Sequence, residues 1–400
     1  MVDSAAVPKV TVSDRAVGRL RAGHVWVYAS DVASPANAKP GDLVHVASQR
    51  GKLLGSALYS SASQIKLRLV TQDPIADEEQ FQQLVRKRLK AAIEYRTTVV
   101  SDSDAYRLVF SEGDLLPGLV LDRYNDVFTL QVLTQAWDRD DRKRLIVDSL
   151  REFAGAEHVL ERVEERIQQL EQLPQHGAEM LLGNKSATLV KMNGIRLYYD
   201  GLAGQKTGAF LDQRENYAAA EHCSKGDGLD VCTYQGGFAL HLARRCQHVT
   251  ALDISREVLE VAEQNEKLNA GSLKNEIEWI EANAFDLMRD YADAGRQYDT
   301  IVLDPPAFAR SKRNLAAAMR GYKELNLRAL KMLRPGGVLV TCSCSFAVSE
   351  EDFLGVVTEA AQDAHKSVQV IGKRTQSKDH PILLGVPETY YLKCLILRML

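Results

Sequence analysis

The alternation of apolar and polar positions divides the chain into three segments. The first 72 residues carry short apolar runs, "HVWVYA", "GDLVHVAS", "LLGSALY" and "IKLRLV", separated by Gly, Pro, Asn and Ser clusters. That is the pattern of a small all-β barrel or sandwich. At "DPIADEEQ" the period changes. Asp77 to Gln80 can open a helix, with acidic residues at its positive end. The "FQQLVRKRLKAAIEYR" that follows has apolar residues at helical spacing and a basic opposite face.

From about residue 105 to 190 the pattern is mixed α+β. "YRLVFSEGDLLPGLVLDRYNDVFTLQVL" predicts strands joined by turns at Gly113-Asp114 and Asn125-Asp126, with helices over Arg142 to Leu150 and around 161–172. After about residue 190 strands and helices alternate: "GLDVCT" then "GGFALHLARR", "HVTALDIS" then "EVLEVAEQNEKLNA". "YDTIVLDPP" precedes another helix, and "GGVLVTCSCS" precedes "SEEDFLGVVTEAA". Such alternation predicts a parallel sheet with helices on both faces, and ligands in such folds bind outside the carboxyl ends of the strands. The expected organisation is a β-barrel over 1–72, a central α+β domain over 73–190 and an α/β domain over 191–400.

Composition narrows this little. At 400 residues, 45% hydrophobic and 26% charged, the chain is an ordinary globular protein with room for two or three domains. No run of about 18 apolar residues predicts a membrane span, and "MVDSAAVPKV" lacks the apolar core of a signal peptide. The six cysteines all lie in the C-terminal half without a paired framework, which predicts free thiols and a cytoplasmic location. The net charge of −3 hides an asymmetry: residues 1–75 carry nine Lys/Arg against five Asp/Glu, and residues 76–190 carry 15 against 21. Only the first segment leans basic, a weak pointer to a nucleic-acid surface there.

The chemistry concentrates in the third segment. In "LDVCTYQGGF", Asp230 and Thr233 precede Gly236 and Gly237, which let a ligand approach the backbone and leave helix N–H groups free. Asp253 ends the next strand, where a carboxylate is placed to accept from ribose hydroxyls. A dinucleotide is disfavoured because the G-x-G-x-x-G spacing is absent. S-adenosylmethionine (AdoMet), with a ribose and no phosphate, suits the looser loop, and Asp230 could meet its ammonium. "LDPPAF" then holds Asp304 in a rigid turn, able to accept from an exocyclic amino group or to share a proton with a ring nitrogen. The adjoining "ARSKRNLAAAMRGYKE" is rich in Arg and Lys, which suits a phosphate-backbone substrate.

"CSCS" places Cys342 and Cys344 at the end of a buried strand. A metal site fails for want of a second Cys or His pair at ligand spacing, and a disulfide between them would close a strained ring. Packing and nucleophilic catalysis remain. Beside an AdoMet site, a thiolate adding to carbon 6 of cytosine activates carbon 5 toward methylation, once the base has left its stack. Residues two apart on a strand share a face, so alternation does not choose between the two. Cys344 is nearer the carboxyl end.

Together these stretches, with "GHVWVYASDV", "SEGDLLPGLVLDRY", "GQKTGAFLDQREN" and "DHPILLGVPETYYLK", resemble the bacterial ribosomal RNA large subunit methyltransferase I family over nearly the whole chain. The resemblance implies a PUA barrel, a central α+β domain and a C-terminal Rossmann-like AdoMet-dependent cytosine-5 methyltransferase domain acting on ribosomal RNA. It places the nucleophile at Cys344 and the cofactor beneath "GQKTGAFLDQR", adding Thr207, Asp212 and Arg214 to the site. Asn283 stands where the family often has Asp to meet the adenine amino group, and its amide oxygen can still accept. Ala307 replaces a second cysteine found in many relatives, so the group removing the carbon-5 proton is unassigned. A homodimer is compatible with the sequence. Two other functions stay open: a guanine or adenine methyltransferase that does not use the cysteine, and a non-catalytic RNA-binding assembly factor.

Overall fold

The structure, a computed structural model, describes residues 7–202, 209–309 and 312–400. The chain forms two compact units. One holds the chain as far as Leu189 together with Lys378–Thr389; the other takes in most of the chain from Val190 to Ser377 and ends with Tyr390–Leu400.

The first unit begins with a six-stranded sheet. Its strands are β1 (Lys9–Val12), β2 (Trp26–Tyr28), β3 (Val32–Ser34), β4 (Leu43–Ser48), β5 (Leu53–Tyr59) and β6 (Ile65–Thr71), in the order β2-β6-β5-β4-β1-β3. A helix that the apolar pattern did not predict, α1 (Asp14–Arg21), follows β1. Ser13 caps it by accepting from the Ala16 N–H, and Ala16, Val17 and Leu20 reach the barrel core. Its eight residues contain only two turns of pattern, too short to read against the strands on either side.

The second part of this unit is an α+β layer. Helix α2 (Glu78–Val99) starts at Asp77, whose carboxylate accepts from the Gln80 N–H. Strands β7 (Ala105–Phe110), β8 (Leu119–Tyr124) and β9 (Val127–Val132) form a meander. Helix α3 (Asp140–Ala154) leads to β10 (His158–Arg162), which runs parallel to β9. The helix predicted around 161–172 is shorter, α4 (Glu165–Glu171), because residues 161 and 162 belong to β10. Strand β11 (Glu179–Leu182) closes the sheet at the β10 edge. Leu43, Leu58 and Val70 of the barrel pack with Phe81, Val85 and Trp137 in one core, so barrel and α+β layer share buried surface.

A hairpin, β12 (Ala187–Met192) and β13 (Ile195–Asp200), carries the chain into the second unit. There α5 (Arg214–Cys223) precedes β14 (Asp227–Val231), α6 (Gly237–Leu242), β15 (His248–Asp253), α7 (Arg256–Asn269), β16 (Ile277–Glu281), α8 (Ala284–Asp293) and β17 (Tyr298–Leu303). Next come α9 (Leu315–Met332), β18 (Leu333–Ser343), α10 (Glu350–Asp363), β19 (Val368–Arg374) and β20 (Lys393–Met399). The sheet order is β16-β15-β14-β17-β18-β20-β19. From β16 to β18 all neighbours are parallel, as the alternation predicts, but β20 is antiparallel to both β18 and β19. The strands of the four strand–helix units named from the sequence are thus parallel as predicted, and β19 and β20 add an antiparallel edge that the alternation does not address. β20 is buried at nearly every position, and an apolar run of that kind carries no signal of strand direction.

The parallel strands end at Val231, Asp253, Glu281, Leu303 and Ser343 along one side of this sheet. A core of Leu229, Val231, Ile301, Leu303, Leu339, Phe353 and Leu397 fixes those ends, each large side chain contributing about 1.5–3 kcal/mol by its burial.

Candidate active site

The loop after β14 is tightly wound. Cys232 and Tyr234 hold φ of 64° and 52°, and Gly236 has φ of 86°. Left-handed conformations at non-glycine residues cost on the order of 1–3 kcal/mol and persist only where surroundings impose them. Here Asp253 does so by accepting the Tyr234 N–H at 2.9 Å, while the Thr233 N–H donates to the Leu252 carbonyl at 2.9 Å. The glycine pair has a reason inside the protein itself. A Cβ on Gly237 would lie 2.6 Å from the Tyr217 ring, and one on Gly236 would lie 2.9 Å from Trp279.

Asp230 is fully buried. Its Oδ2 accepts from the Thr233 hydroxyl at 2.6 Å and from the Ala239 N–H at 2.8 Å. Its Oδ1 is buried with no hydrogen-bond partner among the described residues. Burial pushes this carboxyl up to about 7, with Thr233 and Ala239 opposing and Asp253 adding to the rise. A buried acceptor left unpaired costs about 1–3 kcal/mol, so the orphan oxygen calls for a donor that none of the described residues supplies.

Asp304 follows β17 directly, and its Oδ1 accepts from the Gln213 amide at 3.0 Å. Burial, then the neighbouring Asp212 and Asp230, push it up to about 8, with Gln213 opposing. At neutral pH the Asp304 carboxyl is therefore mainly protonated, a donor rather than an anion. Asp212 is tied down by its own partners: its carboxylate accepts from the Tyr391 hydroxyl at 2.7 Å and its carbonyl from Ser377.

Cys344 is the first residue beyond β18. It is half-buried, and its Sγ lies 3.9 Å from the Pro305 carbonyl in the turn after Asp304. Ser345 binds the two loops together, accepting from the Ala309 N–H at 3.2 Å and sharing a 2.8 Å hydrogen bond with the Tyr322 hydroxyl. Burial first, then Asp304 and Asp212, push the Cys344 thiol up to about 12, with Lys393 pulling the other way. Cys342 differs. It is fully buried, pairs with Cys394 across the β18–β20 ladder, and is pushed well up by that thiol and by burial.

The structure thus brings Asp212, Asp230, Asp304, Thr233 and Cys344 into one neighbourhood. Asp253 stands at the adjoining strand end, its Oδ1 accepting from the Ser255 N–H at 3.2 Å. Asn283 has a structural role as well as the one expected of it. Its amide oxygen accepts from the Phe285 and Asp286 N–H groups and caps α8, so the acceptor foreseen for adenine also serves the helix. Arg214 opens α5 with its side chain buried and 3.8 Å from Glu215. Thr207 lies outside the described residues. Sequence reasoning missed Gln213, Tyr217 and Lys393. Each sits in or next to a motif already singled out, and none has a residue type that marks it as chemistry.

A mostly parallel sheet with an orphan buried carboxylate oxygen and further carboxyls at its carboxyl edge suits a ligand bearing ammonium and sulfonium charge. The comparisons agree. Residues 154–398 match the family model for S-adenosylmethionine-dependent methyltransferases, and residues 10–72 match that for a PUA-like domain. This defines the class: an AdoMet-dependent methyltransferase with an N-terminal PUA-like domain and a Rossmann-like catalytic fold. A ribosomal RNA large subunit methyltransferase I from Pseudoalteromonas translucida is 36% identical over 391 residues, covering 95% of this chain and 96% of its own. One from Tolumonas auensis is 36% identical, covering 94% and 95%. The chain belongs to the ribosomal RNA large subunit methyltransferase I family. Among solved structures, the methyltransferase SMU.776 complexed with SAH has the same fold, with a TM-score of 0.83 at 19% identity over 98% of this chain and all of that one. An S-adenosylmethionine-dependent methyltransferase from Streptococcus mutans gives 0.81 at 18% over the same shares.

Among the described residues, Asp138, Glu161 and His176 of the first unit are the only group with metal-ligand geometry. The Lys143 ammonium already stands 2.7 Å from Asp138 and 2.9 Å from Glu161.

Proposed function

We propose that this protein methylates carbon 5 of a cytosine in large-subunit ribosomal RNA through a covalent adduct with Cys344. The observation that carries the reading is the placement of the Cys344 thiol against the Pro305 carbonyl, one residue past Asp304, at the carboxyl edge of the sheet. The names of the relatives support the RNA substrate.

AdoMet, when bound, supplies the methyl group, and Asp230 with its unpaired Oδ1 and Asp253 at the end of β15 are the residues that would hold its ammonium and ribose. The remaining work falls to the chain. Asp304 in its acid form donates to ring nitrogen 3 of the flipped cytosine, drawing electrons from carbon 6. The Cys344 thiolate adds there, forming an S–C bond while the 5,6 double-bond electrons move to carbon 5, the atom that is methylated. Loss of the carbon-5 proton then expels the thiolate and restores the ring. Gln213 holds the Asp304 carboxyl in place, since its amide N–H is bound to Oδ1 and its amide oxygen accepts from Asn216 at 2.7 Å.

The test is nucleoside mass spectrometry on ribosomal RNA from a deletion strain complemented with native or Cys344→Ala protein. One 5-methylcytidine should vanish on deletion and return only with the native gene. Loss of a methylated guanine or adenine instead, restored equally by Cys344→Ala, would move the protein to the ring-nitrogen or amino methylases. No change in any methylated nucleoside would favour the assembly factor.

A further inference from the structure

Lys393 opens β20 in register with Ser343 and is 3% exposed. Its Nζ donates to the Ser345 carbonyl at 2.8 Å and to the Tyr391 carbonyl at 2.8 Å. Both acceptors are neutral, and among the described residues no carboxylate forms an ion pair with it. A buried ammonium without a counter-ion is costly, and proteins resolve the cost by neutralising the group or by pairing it. The anchoring carbonyl of Ser345 lies one residue past Cys344, so the amine is fixed to the same turn that carries the thiol. Burial draws the amine down to about 8, and Cys344 is the titratable group that acts on it in return.

We propose that Lys393, held as an ammonium by the Ser345 and Tyr391 carbonyls, is the counter-ion of the Cys344 thiolate, a positioning residue that stabilises the nucleophile. The thiol S–H breaks, its proton passing to solvent, and the thiolate left behind is paired with the Lys393 ammonium. The thiolate attacks carbon 6, and when it is expelled at the end of the reaction the same pair is restored. Asp212 and, in its ionised form, Asp304 oppose thiolate formation. A cationic ligand in their corner relieves that opposition, so the pair forms most readily in the AdoMet-loaded protein. The inference rests on the reading of Cys344 as nucleophile.

The experiment follows the two groups by their reactivity in the full-length protein saturated with AdoMet. Peptide mass spectrometry reads the pH profile of iodoacetamide alkylation at Cys344 in native protein and in Lys393→Met. The profile should move up by about one pH unit or more in the variant, which is about tenfold slower alkylation below the midpoint. The reciprocal arm, independent of whether Lys393→Met folds, labels Lys393 with acetic anhydride in native protein and in Cys344→Ser. Loss of the thiolate should lower the lysine's midpoint. An unchanged lysine midpoint in Cys344→Ser, or an unchanged Cys344 profile in folded Lys393→Met, overturns the pairing. Methyl transfer surviving in Cys344→Ala would instead overturn the nucleophile, an outcome that the labelling profiles do not depend on.

Discussion

At the scale of single residues, the site is defined by carboxyls held away from their ordinary ionisation. Asp230, pushed up to about 7, and Asp304, up to about 8, keep protons in the folded chain that ordinary carboxyls, near 3.8, have already lost. Between about pH 4 and 7 these two carboxyls bind more protons in the folded state than in the unfolded one, and their contribution to stability falls as pH rises through that window. Asp230→Asn keeps an oxygen for Thr233 and Ala239 but removes one such group. Its stability should depend less steeply on pH, by up to about 1.4 kcal/mol per unit. Urea midpoints at pH 5 and 7.5 for both proteins would show it, and parallel pH dependences would contradict it. Asp304 and the pair Cys342 and Cys344 stood out in the sequence as candidates because their residue types sit at strand ends, and the family resemblance favoured Cys344. Gln213 and Lys393 did not. Their contributions come from where the fold aims an amide and an ammonium, and neither residue type is rare in an ordinary surface or core.

At the scale of elements, local pattern was a good guide to existence and a poor one to direction and contact. The 3.6-residue period marked α2, α7 and α10, and "SEED" foreshadows the Ser349–Asp352 capping box that starts α10. Nothing in "KCLILRM" announced that β20 would run against its neighbours. The Gly236-Gly237 turn was readable as a turn, and beside the ligand approach that the sequence suggested the structure adds a packing reason, since Tyr217 and Trp279 lie where a Cβ would project. This distinction is measurable. Gly237→Ala puts a methyl group 2.6 Å from the Tyr217 ring and should destabilise the fold by about 1–3 kcal/mol, the usual cost of overpacking. Unchanged stability with a large loss of AdoMet affinity would return the glycine to a purely ligand-facing role.

At the scale of the whole molecule, the charge asymmetry and the fold bear on the RNA. The basic first segment forms the PUA-like sheet, and Arg50 and Lys52 are exposed at the β4–β5 turn. If this surface tracks phosphates, Arg50→Gln with Lys52→Gln should weaken RNA binding and lower its salt slope by about one to two, AdoMet affinity staying the same. An identical slope would remove those two residues from the interface. Deleting the barrel is a poorer experiment, because Leu43, Leu58 and Val70 complete a core shared with α2 and Trp137. The central claim, covalent catalysis by Cys344, is most directly tested by trapping. Large-subunit ribosomal RNA carrying 5-fluorocytidine cannot release fluorine as a proton, so the reaction stalls after methyl transfer. With AdoMet, native protein and Cys342→Ala should both accumulate an RNA adduct that survives denaturation, and Cys344→Ala should form none. An adduct that persists in Cys344→Ala, or full methyl transfer by that variant, would contradict the account.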